Sequence, residues 1–548
     1  NTISLQEQLI DKDIPLLQSV LGCEFSAVLV KGRNNYLSVR RLTLASQRQE
    51  RLFSDPAELR SLHAIEDWAY QTDDGSLSSL PVIERMGVWD KVQSDSGNCM
   101  GRKCPTYQRC FYQAARRRMD NGDLLVVNHA LFFADLAMRA SGVSLLPPYD
   151  HVILDEAHTI EDIASVYFGI GLSEGAVAHL LGSLHHGRRM KGFLTSVVLN
   201  DEADLSALHQ AVEQVHQVRS AADAFFGSLA EHVDRNSLAN GRIDRPRVVD
   251  NPLSDALKQL AVALRRVMGQ VKQEQDRFEL NGYLERAETY AAQVSGWLDQ
   301  TVEQAVYWVE VRGGRQRRVS LSCAPVDVGP ILRNQLFEGF GPAGEPRGVV
   351  LTSATLATAE KTDDSEERRL VEDPFEEEDT KTDDPFGHLI GRLGCDSART
   401  LQLGSPFDHE EAVQLIVEAQ MPDPRSSDHP EAVAQKVLEH VRETEGGAFV
   451  LFTSYRLLND VADRLRRPFR EAGWPLMVQG QDGPRSILLQ RFRATGNGVL
   501  MGTDSFWAGV DVPGEALRNV IITKLPFAVP DRPLTEARLG RIRERGGD

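Results

Sequence analysis

Apolar and polar positions alternate on two scales along this chain, and each scale predicts a different element. Short apolar runs that stop abruptly at polar residues read as buried strands of a parallel sheet. Such runs lie at Ser26–Lys31, Asp123–Leu131, His151–Asp155, Gly348–Leu356, Ala448–Tyr455, Asn497–Met501 and Val520–Thr523. Helical spacing marks Thr2–Leu21 (through Leu5, Leu9, Ile14 and Leu17), the charged stretch Arg40–Tyr70, and both Glu431–Arg442 and Leu457–Arg466. It also fills Ser173–Gln300, through Ala176–Leu184, Leu205–Phe226, Leu253–Val267 and Leu284–Trp297, with no strand pattern inside. That stretch closes on Ala305–Val311 and Arg318–Cys323, which read as a hairpin around Gly313-Gly314 with a basic loop. Strands alternating with helices predict parallel sheets. The fold class is therefore α/β, with two parallel-sheet domains and a helical insertion in the first.

Ligands of parallel sheets lie at the carboxyl ends of the strands, so the polar residues there carry the candidate chemistry. The run His151–Leu154 ends in Asp155-Glu156-Ala157-His158. One of two neighbouring acids can hold Mg²⁺, usually through water, and the other can orient or deprotonate an attacking water. A solvated acidic turn is the plainer alternative. Asn128 and His129 end another run; they suit a site edge or, equally, a helix cap and a satisfied buried histidine. Thr352-Ser353-Ala354-Thr355 places hydroxyls beside the acids or caps the next helix. Thr453 and Ser454 end a strand of the second domain, and the loop Gly502–Asp511 follows another, with Ser505 and Gly509 inside it.

Length and charge bound the picture. A chain of 548 residues exceeds one core, and three or four domains are expected. Its hydrophobic content of 41% and charged content of 26% are those of a soluble globular protein. No apolar run reaches bilayer length and no signal peptide opens the chain, so a cytoplasmic location is expected. Asn1 opens mid-element and the last residues end in a charged Gly-Gly turn, so both ends read as cut, as in an internal fragment of a longer protein. The net charge of −18 argues against a polyanionic partner, but half of it comes from Glu360–Asp384, where thirteen acids meet four bases. Residues 359–386 are accordingly expected to form an acidic, disordered surface loop.

Three of the six cysteines, Cys99, Cys104 and Cys110, fall within twelve residues. In a large chain without a secretory signal such a cluster reads as metal or iron–sulfur ligation rather than disulfides. Zinc is less favoured, because no two of these cysteines are separated by only two residues and no histidine lies among them. Arg102, Lys103, Arg109 and Arg116–Arg118 surround the group, with Tyr107, Phe111 and Tyr112 interleaved. Bases with aromatics suit a nucleic-acid strand; a solvated basic helix is the alternative.

In their order, these motifs resemble the superfamily 2 DNA helicases of the XPD/DinG type, closest to the bacterial DinG-like branch, over essentially the whole chain. Asp155-Glu156-Ala157-His158 is similar to the DEAH box, Ser353-Ala354-Thr355 to motif III, Phe452-Thr453-Ser454-Tyr455 to motif IV, and Gly502–Asp511 with Pro513-Gly514 to motif V. Thr2–Leu9 looks like motif Ia. The resemblance implies two RecA-like motor domains, the first interrupted by an iron–sulfur-type insertion and a helical arch. The chain then divides into 1–35 (motor domain 1, motif Ia), 36–120 (iron–sulfur-type insertion), 121–168 (motor domain 1, DEAH box), 169–325 (arch), 326–358 (motif III), the acidic loop, and 387–548 (motor domain 2, C-terminally truncated).

Function follows by the same implication: an ATP-dependent motor that moves 5′ to 3′ on single-stranded DNA, unwinds forked or overhang duplexes, and serves repair or replication. A degenerate, non-catalytic DNA-binding relative and an RNA-directed DEAH-box helicase are the rival readings. Asp155 would hold Mg²⁺, Glu156 would activate water, and His158 and Thr355 would couple hydrolysis to the second domain. Asn128, His129, Ser353, Thr453, Ser454, Gly502, Ser505, Gly509 and Asp511 would serve nucleic-acid contact or coupling. Cys99, Cys104 and Cys110 would ligate a 4Fe–4S cluster.

Three departures from the pattern stand out. No G-x-x-x-x-G-K-[ST] phosphate loop occurs in the chain, and motif VI is expected beyond Phe527, where the chain stops first. The chain as given is therefore expected to hydrolyse ATP poorly. Ser38 occupies the usual position of the fourth cluster cysteine in the turn Gly32–Ser38. That leaves Ser38 or another group as the fourth ligand, or a labile or absent cluster.

Overall fold

The computed structural model describes all residues except 1–2, 54, 141, 188–190, 202, 314–316, 343, 358–384, 508, 545 and 547–548. The acidic loop expected at 359–386 lies almost wholly outside the described residues. The chain forms two units, a larger one of Gly22–Thr400 with Pro530–Asp548 and a smaller one of Asn1–Leu21 with Leu401–Val529.

The larger unit carries seven strands among its described residues: β1 (Ala27–Val30), β2 (Leu124–Val127), β3 (His151–Asp155), β4 (Ile170–Ser173), β5 (Ala305–Arg312), β6 (Arg318–Pro325) and β7 (Gly348–Thr352). β1 pairs with β2 in parallel, Ala27 against Leu124 through Val30 against Val127. β3 pairs with β7 in parallel, His151 against Gly348 through Asp155 against Thr352. One core of Phe133, Leu136, Val152, Leu154, Ile160, Leu332 and Leu336 lies behind both pairs. The sequence reads β3 as buried on both faces, but only Val152 and Leu154 turn inward, and Ile153 is 68% exposed on the other face.

The predicted strand Asp123–Leu131 stops at Val127 and becomes the helix His129–Arg139. The reason is local: the Asn128 side chain accepts a hydrogen bond from Leu131 N at 2.8 Å, an N-cap that competes with continued extension.

Between β1 and β2 sits the cysteine-bearing segment, with its own small core of Leu37, Phe53, Leu62, Ile65, Trp68, Trp89 and Val92. Its helix Pro56–Ala69 opens on a capping box between Asp55 and Glu58, with Pro56 at the first position.

Between β3 and β7 lies the helical segment, with long helices Leu205–Arg235, Pro252–Met268 and Glu274–Leu298. They pack on an antiparallel sheet ordered β4-β6-β5. The hairpin read from sequence is β5–β6, and β4 joins it as a third strand that sequence reading had left out. Phe225, Phe226, Leu257, Leu280 and Trp297 fill the core, and the Trp297 indole N–H donates to Ser322 O at 2.8 Å. Residues 530–548, read from sequence as part of the second motor domain, fall in this unit. Their helix Pro533–Glu544 is tied to it by Arg538, which lies 3.0 Å from Glu161 and 2.6 Å from Asp162.

The smaller unit holds a parallel sheet ordered β11-β8-β10-β9, where β8 is Ala448–Leu451, β9 Leu476–Val478, β10 Val499–Gly502 and β11 Asn519–Ile522. β8 and β10 are buried at every position, as continuous apolar runs require. Val450, Phe452, Val461 and Phe469 pack one side, and Phe449, Met477, Phe492 and Leu500 the other. β8 ends before the expected Tyr455, because Ser454 caps the helix Tyr455–Ala472 by accepting from Leu457 N. Residues 1–21, read from sequence as part of the first motor domain, group with this unit, and Lys12 Nζ lies 3.2 Å from Asp511 Oδ2.

Candidate functional site

The carboxyl ends of β3 and β7 bring most of the candidate residues of the larger unit together. Asp155 and Thr352 are register partners, and the Thr352 hydroxyl donates to Asp155 Oδ1 at 2.9 Å. Glu156 then turns the chain with φ 54° and ψ 46°, a left-handed conformation that costs a non-glycine residue about 1–2 kcal/mol. Strain of this kind persists where the surroundings hold it, and it gathers at functional sites. Here the turn aims the second carboxylate away from the strand axis and starts the 3₁₀ turn Ala157–Thr159.

His158 links the acids to β7. Its Nδ1 lies 3.3 Å from Glu156 Oε2 and 2.9 Å from Ser353 Oγ. Ser353 Oγ accepts from Thr355 N at 3.3 Å and lies 3.5 Å from Thr355 Oγ1. Glu156, His158, Ser353 and Thr355 thus form one polar chain across the two strand ends. A second arm reaches His129: the Thr159 hydroxyl donates to Glu156 O at 2.9 Å and lies 3.3 Å from His129 Nδ1, while the Asn128 side chain is spent on capping the helix.

His129 is 4% exposed, and burial pushes its pKa down to about 4 against the opposing charge of Asp155. The imidazole is neutral at physiological pH, so it works here as a hydrogen-bonding group. Because the folded pKa lies below the unfolded value of 6.5, the unfolded chain binds the extra proton first as pH falls. His129 therefore contributes stability that is complete above pH 6.5 and lost as pH approaches 4. Denaturant unfolding across this window should show stability falling with acidity, and His129→Gln should flatten that slope; an unchanged slope in the variant refutes the assignment.

Thr352 meets the expectation of a strand-end hydroxyl beside the acids, because the pairing of β3 with β7 sets it level with Asp155. Thr159 belongs to this site too and was not singled out from sequence. Thr159 carries no sequence signal beyond being a hydroxyl one residue past His158.

In the smaller unit the candidates gather at the carboxyl ends of β8 and β10. Gly502 ends β10, and its neighbour Thr503 donates from N to Gln479 Oε1 at 2.7 Å. Gln479 Nε2 donates to Ser505 Oγ at 2.9 Å. The loop is pinned further along, where Arg485 donates to Gly509 O at 2.8 Å and Arg493 donates to Asp511 O. Gly509 has φ 66°, which suits glycine. The Trp507 indole donates to Phe452 O at 3.2 Å and ties this loop to the end of β8 beside Thr453 and Ser454. Gln479 and Arg485 are the partners that sequence reading did not find.

Cys99, Cys104 and Cys110 are half-buried on a segment folded by the 3₁₀ turns Gly101–Lys103 and Tyr107–Arg109. The Cys110 thiol is pushed up by burial and, further, by the Cys99 and Cys104 thiols. No group of three His, Cys, Asp or Glu side chains in metal-ligating geometry occurs among the described residues. Ser38 spends its hydroxyl as the N-cap of the helix Val39–Gln47, accepting from Arg41 N at 3.4 Å.

A cavity of about 590 Å³ opens beside this segment, lined among others by Lys31, Arg33, Tyr36, Tyr112, Arg116 and Arg286. The Arg33 guanidinium sits 4.0 Å over the Tyr112 ring, and the Tyr36 and Tyr112 rings meet at a tilt of 60° with centroids 6.0 Å apart.

Comparison with known proteins gives a consistent picture. Residues 437–548 match the family described as Helicase C-terminal domain. The whole chain aligns with "ATP-dependent DNA helicase YoaA" of Escherichia coli at 30% identity over 555 residues, covering 77% of that protein. It aligns with "ATP-dependent DNA helicase DinG" of Photobacterium profundum at 28% over 584 residues, covering 79% of it. A third relative, "ATP-dependent helicase DinG" of Mycobacterium tuberculosis, is 28% identical over 576 residues, with 76% covered.

Proposed function

The chain belongs to the YoaA/DinG family of ATP-dependent DNA helicases, and from that premise we propose that its paired strand ends form the hydrolytic centre of a motor moving 5′ to 3′ on single-stranded DNA. The observation that carries this reading is the polar chain from Glu156 through His158 to Ser353 and Thr355, anchored beside Asp155. Asp155 offers hard carboxylate oxygens and keeps Thr352 on one of them, a donor set that fits Mg²⁺. When bound, the ion supplies neutralisation of phosphate charge.

The chain's own residues do the remaining work. Glu156, held off the strand axis by its left-handed turn, orients water and takes its proton. His158 senses the state of Glu156 and passes it through Ser353 to Thr355. Thr503, Ser505, Gly509 and Asp511 form the corresponding edge in the smaller unit, and Thr453 and Ser454 flank it. No helix among the described residues is long and apolar enough to cross a membrane.

Cys99, Cys104 and Cys110 would hold three corners of a 4Fe–4S cluster, since soft thiolates are the donors such clusters take. The fourth corner falls to Ser38 or another group. The cluster would brace this segment beside the cavity lined by Arg33, Tyr36 and Tyr112, whose bases and aromatics suit the backbone and rings of a single strand.

Two measurements test the reading. The full-length protein should hydrolyse ATP faster when single-stranded DNA is added, and should displace strands from duplexes with a 5′ overhang and not a 3′ overhang. Unwinding from the 3′ overhang alone would overturn the direction; no stimulation by DNA would overturn the motor. Protein purified without oxygen should contain iron and acid-labile sulfide; zinc alone, or no metal, would refute the cluster.

A further inference from the structure

The helix Pro533–Glu544 buries none of its own residues, yet its side chains tie it on two sides. On one side is the helix Ile160–Tyr167, which continues directly from the turn that carries Asp155, Glu156 and His158. The Arg538 side chain is only 13% exposed, and its Nε lies 3.0 Å from Glu161 Oε1. Its Nη1 donates to Asp162 Oδ1 at 2.6 Å and its Nη2 to Oγ of the buried Ser165 at 2.8 Å. Glu161 is held from its other oxygen as well, where Arg392 Nε donates to Oε2 at 3.0 Å.

On the other side is the helical segment. Asn240 Nδ2 donates to Glu536 Oε2 at 2.8 Å, and Arg242 Nη1 lies 3.5 Å from the same oxygen. These two residues do not stand on a free loop. Val309 N donates to Gly241 O at 2.9 Å and Ile243 N to Tyr307 O at 2.8 Å, so residues 241–243 run along β5. Gly241 permits that approach: its φ is 72°, and a Cβ there would fall 2.0 Å from Val309 O.

β5 belongs to the sheet whose first strand, β4, begins at Ile170, just after the helix Ile160–Tyr167. The helical segment and the turn at Glu156 are thus joined twice. The chain joins them through residues 168–169, and the helix Pro533–Glu544 joins them through side chains. A single tie leaves a hinge, whereas two ties at separate points fix an orientation.

We propose that Arg538 is a positioning residue for the hydrolytic turn. It acts through Glu161, Asp162 and Ser165, and together with Glu536 it makes the helix Pro533–Glu544 a strut that carries the position of the helical segment to Glu156. This rests on the hydrolytic reading of Glu156 above. Ion-pair networks and rigid helices are the elements that carry coupling between sites. Small displacements suffice, since moving a reacting group by about 1 Å can cost roughly 10²-fold in rate.

The test uses the full-length protein and four variants: Arg538→Met, Glu536→Ala, the double variant, and Arg235→Met, which breaks an exposed pair elsewhere on the helical segment. ATP turnover is measured without DNA and with saturating single-stranded DNA, together with the KM for ATP. Arg538→Met should lower DNA-stimulated kcat roughly 2–30-fold, the usual reach of residues lying between coupled sites. Turnover without DNA and the KM for ATP should stay at wild-type values, a split that a general loss of stability does not produce.

Glu536→Ala should show the same pattern, although the partners of its carboxylate, Asn240 and Arg242, lie on the helical segment. It guards against a folding defect, since Glu536 is half-exposed and alanine favours a helix. The double variant should lose no more than the larger single loss, because one strut breaks once. Losses that multiply would mark two independent contacts and overturn the proposal, as would wild-type stimulation in Glu536→Ala or an equal loss in Arg235→Met. If wild type itself gains no turnover from DNA, the motor reading fails and takes the proposal with it, a result distinct from the others.

Discussion

Replacing Glu156 with glutamine lowers DNA-stimulated ATP turnover of the full-length protein by roughly 10²–10⁴-fold, the usual contribution of a positioned general base. The change keeps the side chain's size and its reach to His158, so nucleotide affinity should persist while turnover collapses. Glu156→Gly separates chemistry from strain. Glycine accepts the left-handed turn without cost, so this variant should unfold about 1 kcal/mol less readily than wild type while losing turnover to the same extent. A stabilised, inactive protein is the signature of strain held for function. Retention of turnover in Glu156→Gln, with DNA stimulation intact, would remove Glu156 from the proton-accepting role and leave the site to another base.

The parts of this site legible in the sequence are those encoded locally. Asp155 and Glu156 stand out because an apolar run must end somewhere, and polar residues at its carboxyl end have few structural reasons to be there. The helices of residues 205–298 are legible for the same reason: the spacing of Phe225, Phe226, Leu257 and Trp297 leaves one face to bury. Tertiary register is what the local pattern lacks. Thr352 touches Asp155 only because β3 and β7 pair with Asp155 level with Thr352. Gln479 reaches Thr503 and Ser505 only because β9 lies beside β10.

The errors in element ends share one cause. Asn128 and Ser454 sit at the ends of apolar runs that look long enough to continue as strands. Each side chain instead accepts a hydrogen bond from a backbone N–H three residues on and begins a helix. The openness of Ile153 could not be foreseen either, since an apolar run does not reveal how many of its faces will be covered.

Removing the carboxylate of Asp276 should cost about 3–5 kcal/mol of stability, the range for breaking a buried ion pair by deleting one partner. Asp276 is fully buried in the first turn of the helix Glu274–Leu298, where the helix dipole also favours a negative charge. Arg48, from the cysteine-bearing segment, donates Nη2 to Asp276 Oδ2 at 3.0 Å, and its Nη1 lies 2.9 Å from Oδ1 as an ion pair without a second hydrogen bond. Asp276→Ala leaves that guanidinium enclosed with only Gln273 Oε1, at 2.9 Å, beside it. The loss comes mostly from the stranded charge, so the double variant Arg48→Met with Asp276→Leu should recover most of it. Equilibrium denaturation of Arg48→Met, Asp276→Leu and the double variant decides the matter through their coupling energy. Additive losses would mean that the two segments are joined mainly by apolar packing. Recovery in the double variant would mean that the pair specifies how the cysteine-bearing segment meets the helix while adding little to its stability.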